Sequence, residues 1–134
     1  MTQKQKKILI VDDDASIREI LCTQLSRLGF ATAAAADGKE AVELFRSAAP
    51  DLVLMDMMMP VLDGLGACQQ IRAWEKKKGT RVPILFLTAR DTRHDQISSA
   101  LSGGDDFITK PLSLQELRER VEAALAHAKH KPGP

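Results

Sequence analysis

Asp56 closes the apolar run Asp51-Leu52-Val53-Leu54-Met55-Asp56, and Pro60 follows shortly after. A run this short and apolar reads as a strand buried on both faces, so its last residue emerges at a sheet edge. A carboxylate there needs a partner, because a buried unpaired charge is costly. Other such runs end in candidates: Asp12 and Asp13 after Ile8-Leu9-Ile10-Val11, Thr88 after Ile84-Leu85-Phe86-Leu87, and Lys110 after Phe107-Ile108-Thr109. Acids, a hydroxyl and an ammonium at strand ends are the components of a metal-and-phosphate site.

A phosphate cradle in this position would use a glycine-rich turn with backbone N–H groups aimed at the anion. Here the turn is Asp12-Asp13-Asp14, which repels phosphate unless a cation intervenes. Mg²⁺ takes oxygen ligands and uses only one or two carboxylates while keeping waters, so the acidic turn points to Mg²⁺, with Mn²⁺ as a substitute. With that charge between Asp13 and Asp56, Asp56 can act as an oxygen nucleophile and form an aspartyl phosphate. Lys110 would supply a flexible point charge and Thr88 a hydroxyl to the phosphoryl oxygens. Phosphoryl transfer asks mainly for positioning and charge stabilisation, so this short set suffices.

The elements that must hold these residues alternate. Strand-like runs are expected at 8–11, 30–35, 52–55, 82–87 and 107–109. Helical stretches are expected from Ala15 to Gly29, from Asp37-Gly38 to Pro50, from Asp63-Gly64 to about Trp74, over 92–101 and over 113–128. Asp14 is a plausible N-cap and Gly29 a stop. The stretch Glu75-Lys76-Lys77-Lys78-Gly79 reads as a polar loop. Five β-α repeats imply a parallel sheet with helices on both faces, whose ligands sit beyond the carboxyl ends of the strands.

The 134 residues suit one domain, expected over 7–128, with a polar extension at 1–6 and a tail or severed linker at 129–134. Hydrophobic residues are 44%, charged residues 28% and net charge +1, which provides no field for nucleic acid or anionic membrane. Cys22 and Cys68 lack metal or CxxC spacing and fit a reducing cytosol, and the apolar runs are too short to span a bilayer. A cytoplasmic protein without direct nucleic-acid or membrane binding is expected.

The segments Ile8-Leu9-Ile10-Val11-Asp12-Asp13-Asp14, Asp56-Met57-Met58-Met59-Pro60 with Asp63-Gly64, Leu87-Thr88-Ala89 and Gly103-Gly104-Asp105-Asp106-Phe107-Ile108-Thr109-Lys110-Pro111 resemble, in order and spacing, the receiver domain of two-component response regulators. The resemblance runs from about Lys7 to Ala128. It implies a flavodoxin-like, doubly wound (βα)5 three-layer sandwich with strand order 2-1-3-4-5. Asp56 would be the phosphoacceptor, Asp12 and Asp13 the metal-holding acids, and the Met58 backbone carbonyl a further ligand. Thr88 and Lys110 would contact the phosphoryl group, Phe107 would be the aromatic switch, and the Lys110–Pro111 peptide would be cis. Met58 and Arg90 occupy positions that tune water attack in the family, and bulky Met58 is expected to lengthen the phosphorylated lifetime. Phe107 stands where tyrosine is common and Gly104 where alanine is usual. The donor would be a sensor histidine kinase or histidine phosphotransfer protein. The face made by helix four, strand five and helix five would engage a downstream protein, an output domain or a second copy, as a monomer or a phosphorylation-dependent dimer. Such a domain is a signalling phosphoacceptor rather than an enzyme with turnover.

Plainer readings accompany these. Thr88 alone is a helix cap, Lys110 alone a solvated lysine, and Phe107 serves equally as a core aromatic. Asp105-Asp106 reads as solvated turn chemistry, Trp74 as cover for a helix–sheet edge, and Met55, Met57, Met58 and Met59 as core and loop filling. The alternative function is a haloacid-dehalogenase-type phosphatase with Asp12 as nucleophile, since Asp12-Asp13-Asp14 satisfies Asp-x-Asp. It leaves Asp56 idle and puts Lys110 after the late acidic motif.

Overall fold

The computed structural model describes residues 5–56, 63–88, 105–109 and 113–130. Five strands, β1 (Lys7–Val11), β2 (Ala31–Ala35), β3 (Leu52–Asp56), β4 (Ile84–Thr88) and β5 (Asp106–Thr109), form one sheet in the order β2-β1-β3-β4-β5. Every pairing is parallel. This is the expected strand order. Helices α1 (Ala15–Arg27), α2 (Gly38–Ala48), α3 (Gly64–Lys78) and a C-terminal helix (Leu114–His130) are described. The helix expected over 92–101 lies outside the described residues.

Alternation along the central strands divides the core in two. Leu9, Val11, Val53, Met55, Ile84 and Phe86 face α2 and α3, where Val42, Phe45, Ala67, Cys68 and Ile71 pack on them. Ile8, Ile10, Leu52, Leu54, Leu85 and Leu87 face α1 and the C-terminal helix, meeting Leu21, Leu25, Leu117 and Val121. β1 and β3 are therefore buried on both faces, and their terminal residues are the first that can carry polar chemistry.

Helix boundaries follow capping chemistry. Asp14, Asp37 and Asp63 cap α1, α2 and α3 with side-chain oxygens that accept from Ser16, Glu40 and Gly66 N–H groups. Gly29, at φ 97°, ends the α1 turn as expected. Ser113 Oγ accepts from Glu116 N at 3.0 Å and so starts the C-terminal helix. That helix runs through His130, two residues into the expected tail.

Two boundaries differ from expectation. α3 continues to Lys78, through the stretch read as a polar loop, because Glu75 is not a loop acid. It is 2% exposed and holds Arg72 Nη1 at 2.6 Å and Val82 N at 2.6 Å. Three lysines in the last turn suit the helix dipole, and Gly79 at φ 70° provides the stop. β4 starts at Ile84 instead of 82, since the Val82 N–H is given to Glu75 rather than to a neighbouring strand. Trp74 packs edge-on against Phe45 of α2, ring centroids 5.8 Å apart, and so joins two helices.

Candidate functional site

β1 and β3 lie side by side with Val11 opposite Met55, so Asp12 and Asp56 leave the sheet at neighbouring carboxyl ends. Asp12 is 1% exposed, Asp13 exposed and Asp56 half-buried. One carboxylate oxygen from each of the three lies within 4.8 Å of the others. The sequence expectation that these acids converge is met.

The turn carrying Asp12 and Asp13 is fixed by its own residues. The Asp12 N–H donates to Ala35 O at 3.2 Å, continuing the β1–β2 ladder by one step. Asp12 Oδ1 accepts from Asp14 N at 2.9 Å, an Asx-type bond that bends the chain toward α1. Asp14 caps that helix through Ser16 N at 2.8 Å, so the third acid is a structural cap, as read. Arg18 Nη1 donates to the Asp12 carbonyl at 2.7 Å.

Thr88 ends β4, with its backbone paired to Thr109 at the end of β5, on the same edge as Asp56. Phe107 pairs with Phe86 two steps inside the sheet from that edge. Met58, Arg90, Lys110 and Pro111 lie outside the described residues.

Three carboxylate oxygens this close repel one another unless cationic charge offsets them. All three are hard donors, and the set fits Mg²⁺, which binds through few carboxylates and retains waters. Asp12, Asp13 and Asp56 are the described residues that would hold it.

Sequence reasoning missed four arginines, Arg18, Arg72, Arg81 and Arg120. Arg18 binds a carbonyl, a contact that leaves no trace in residue spacing beyond its place one turn into α1. Arg72 Nη2 meets Asp105 Oδ2 at 2.6 Å, and Asp105 also takes Ile84 N at 2.9 Å and Arg81 at 3.1 Å. Asp106 pairs with Arg120 through both carboxylate oxygens, at 2.9 and 3.0 Å, and that bond raises the guanidinium pKa further. The acids read as solvated turn residues are instead paired at the amino ends of β4 and β5. A cavity of about 200 Å³ opens beside them, with Arg81, Pro83, Leu85, Asp106, Arg120 and His127 in its lining. It sits at the opposite end of the sheet from Asp56 and takes no part in the acidic cluster.

The family model for the response regulator receiver domain matches residues 8–122. A probable transcriptional regulator, ycf27, of Guillardia theta is 47% identical over 123 residues, covering 92% of this chain and 46% of that protein. Response regulator MprA of Mycobacterium sp. (strain KMS) is 42% identical over 128 residues, covering 96% of this chain and 54% of that protein. The chain spans about half the length of the curated relatives it matches. Among solved structures, the receiver domain of sensor histidine kinase PA1611 from Pseudomonas aeruginosa PAO1 superposes with a TM-score of 0.83 at 32% identity. The alignment covers 92% of this chain and 99% of that one, which has a magnesium ion coordinated in its active site cleft. Chemotaxis protein CheY4 of Vibrio cholerae gives 0.85 at 28% identity over 90% and 99%. The haloacid-dehalogenase-type alternative finds no support, and Asp56, idle in that scheme, lies inside the acidic cluster.

Proposed function

The chain belongs to the response regulator receiver domain family of two-component systems, and from that premise we propose that it accepts a phosphoryl group on Asp56. The observation that carries this reading is the meeting of Asp12, Asp13 and Asp56 oxygens within 4.8 Å at the ends of adjacent strands. The donor is the phosphohistidine of a sensor kinase or phosphotransfer protein. An Asp56 carboxylate oxygen attacks phosphorus, a new O–P bond forms, and the P–N bond breaks with its electron pair going to the imidazole. That ring then takes a proton from solvent.

Asp12, Asp13 and Asp56 would hold Mg²⁺, with the Met58 carbonyl as the further ligand the family implies; bound there, the ion would supply positive charge to the phosphoryl oxygens. Lys110 and Thr88 donate hydrogen bonds to those oxygens, and Met58 and Arg90 govern how water reaches phosphorus. Phosphorylation shifts a two-state equilibrium in which Thr88 and Phe107 rearrange. The changed face, made by the 92–101 segment, β5 and the C-terminal helix, engages a downstream protein or output domain in the cytoplasm. The domain spans 7–128 and acts as a phosphoacceptor, with no turnover beyond its own transfer and dephosphorylation.

Titration with beryllofluoride, an acyl-phosphate mimic, tests this by calorimetry. Binding is expected only with Mg²⁺ present and is lost in Asp56→Asn. Binding that survives that substitution, or fails altogether with Mg²⁺, overturns the proposal.

A further inference from the structure

Arg18 stands at the fourth position of α1, where its N–H donates to Asp14 O at 3.0 Å and closes the first helical hydrogen bond. Helical side chains lean toward the amino end. That direction carries the half-buried Arg18 guanidinium back past the cap to the Asp12 carbonyl at 2.7 Å. Asp12 is thereby held through three groups: its N–H by Ala35 O, its Oδ1 by Asp14 N and its carbonyl by Arg18. Asp13 follows directly, so the peptide plane that Arg18 fixes also sets where the Asp13 carboxylate starts from.

We infer that Arg18 is a positioning residue for the acidic site, orienting the Asp12–Asp13 peptide so that both carboxylates meet Asp56. This deepens the proposed function and rests on it. Two effects of the guanidinium oppose each other. As a cation beside the Asp12 end of the acidic cluster it competes with a metal ion, and removing it would tighten metal binding. As a donor to the carbonyl it holds the turn in its binding shape, and removing it loosens the site. The bond goes to the carbonyl and not to a carboxylate, so the orienting effect dominates. Groups that orient metal ligands from behind commonly change affinity by about 10–100-fold when removed, and the low end of about tenfold suits a single bond at a half-buried position.

Mg²⁺ titrated calorimetrically into chelator-stripped protein tests the inference in the wild type, Arg18→Met and Arg18→Lys. Arg18→Met is expected to bind about tenfold more weakly, with its metal-free unfolding midpoint near the wild type's. Arg18→Lys, which keeps one cationic donor for one carbonyl, recovers most of the affinity. If the wild type binds Mg²⁺ and Arg18→Met binds equally or more tightly, the inference fails while the proposed function stands. If both variants weaken alike with a lowered metal-free midpoint, Arg18 is merely structural and the inference also fails. A wild type that binds no Mg²⁺ overturns both.

Discussion

The two thiols differ because only one is walled off from water. Burial pushes the Cys68 thiol up to about 11, with Arg72 pulling the other way, whereas Cys22 is only partly buried. A raised value favours the neutral thiol in the fold. That contribution to stability is complete below pH 9 and drains away as pH rises toward about 11. At pH 8, iodoacetamide should therefore alkylate Cys22 in the native protein and spare Cys68 until denaturant is added; peptide mapping that finds Cys68 modified first would contradict this. A second side chain, Met58, is proposed to act on the lifetime of the phosphorylated form. Met58 follows the acceptor by two positions and is apolar, so Met58→Asn should speed loss of the phosphoryl group by letting water be oriented there. An unchanged dephosphorylation rate would remove Met58 from that role. The acids of the site were legible as residue types at strand ends. Arg18 and Arg72 were not, because Arg18's partner is a carbonyl and Arg72's network reaches beyond the nearby Glu75 to Asp105, 33 residues on.

At the scale of elements, Arg72 ties α3 to β4 and β5. Its side chain is 12% exposed, and its partners Glu75 and Asp105 are 2% and 15% exposed. Arg72→Met leaves the buried Glu75 carboxylate without its cation, while Asp105 keeps Arg81, and should cost about 3 kcal/mol in chemical denaturation. Arg81→Ala, removing a partner that is 43% exposed, should cost no more than about 1 kcal/mol. Equal losses in the two variants would show that burial does not set the value of this network. The end of α2 offers the opposite case. Ala49 caps it at φ 48° and ψ 61°, a left-handed conformation that disfavours a Cβ. Ala49→Gly relieves that strain but adds unfolded-state entropy, for a net gain of about 0.5 kcal/mol measurable as a raised denaturation midpoint. A lowered midpoint would mean that entropy outweighs strain. The strands and three of the helix starts were readable because apolar runs and aspartates at helix starts are local signals, whereas the strand order came only from the family resemblance. The end of α3 and the start of β4 were misplaced because both depend on Glu75, whose burial is a tertiary fact.

Across the whole molecule, the sheet separates two charged ends. Carboxylates gather where β1 and β3 finish, and paired acids and arginines gather where β4 and β5 begin. The first set is a cluster of hard oxygen donors suited to a dication and the second pairs acids with arginines, which is why phosphoryl chemistry is proposed at the first. This polarity follows from parallel strands alone, since it sends every strand's last residue to one edge. The direct test is to incubate the protein with acetyl phosphate and Mg²⁺, then map the product by peptide mass. A single hydroxylamine-labile phosphoryl adduct on Asp56 is expected, absent without Mg²⁺ and absent from Asp56→Asn. An adduct on Asp12, or one that persists in Asp56→Asn, would contradict the account.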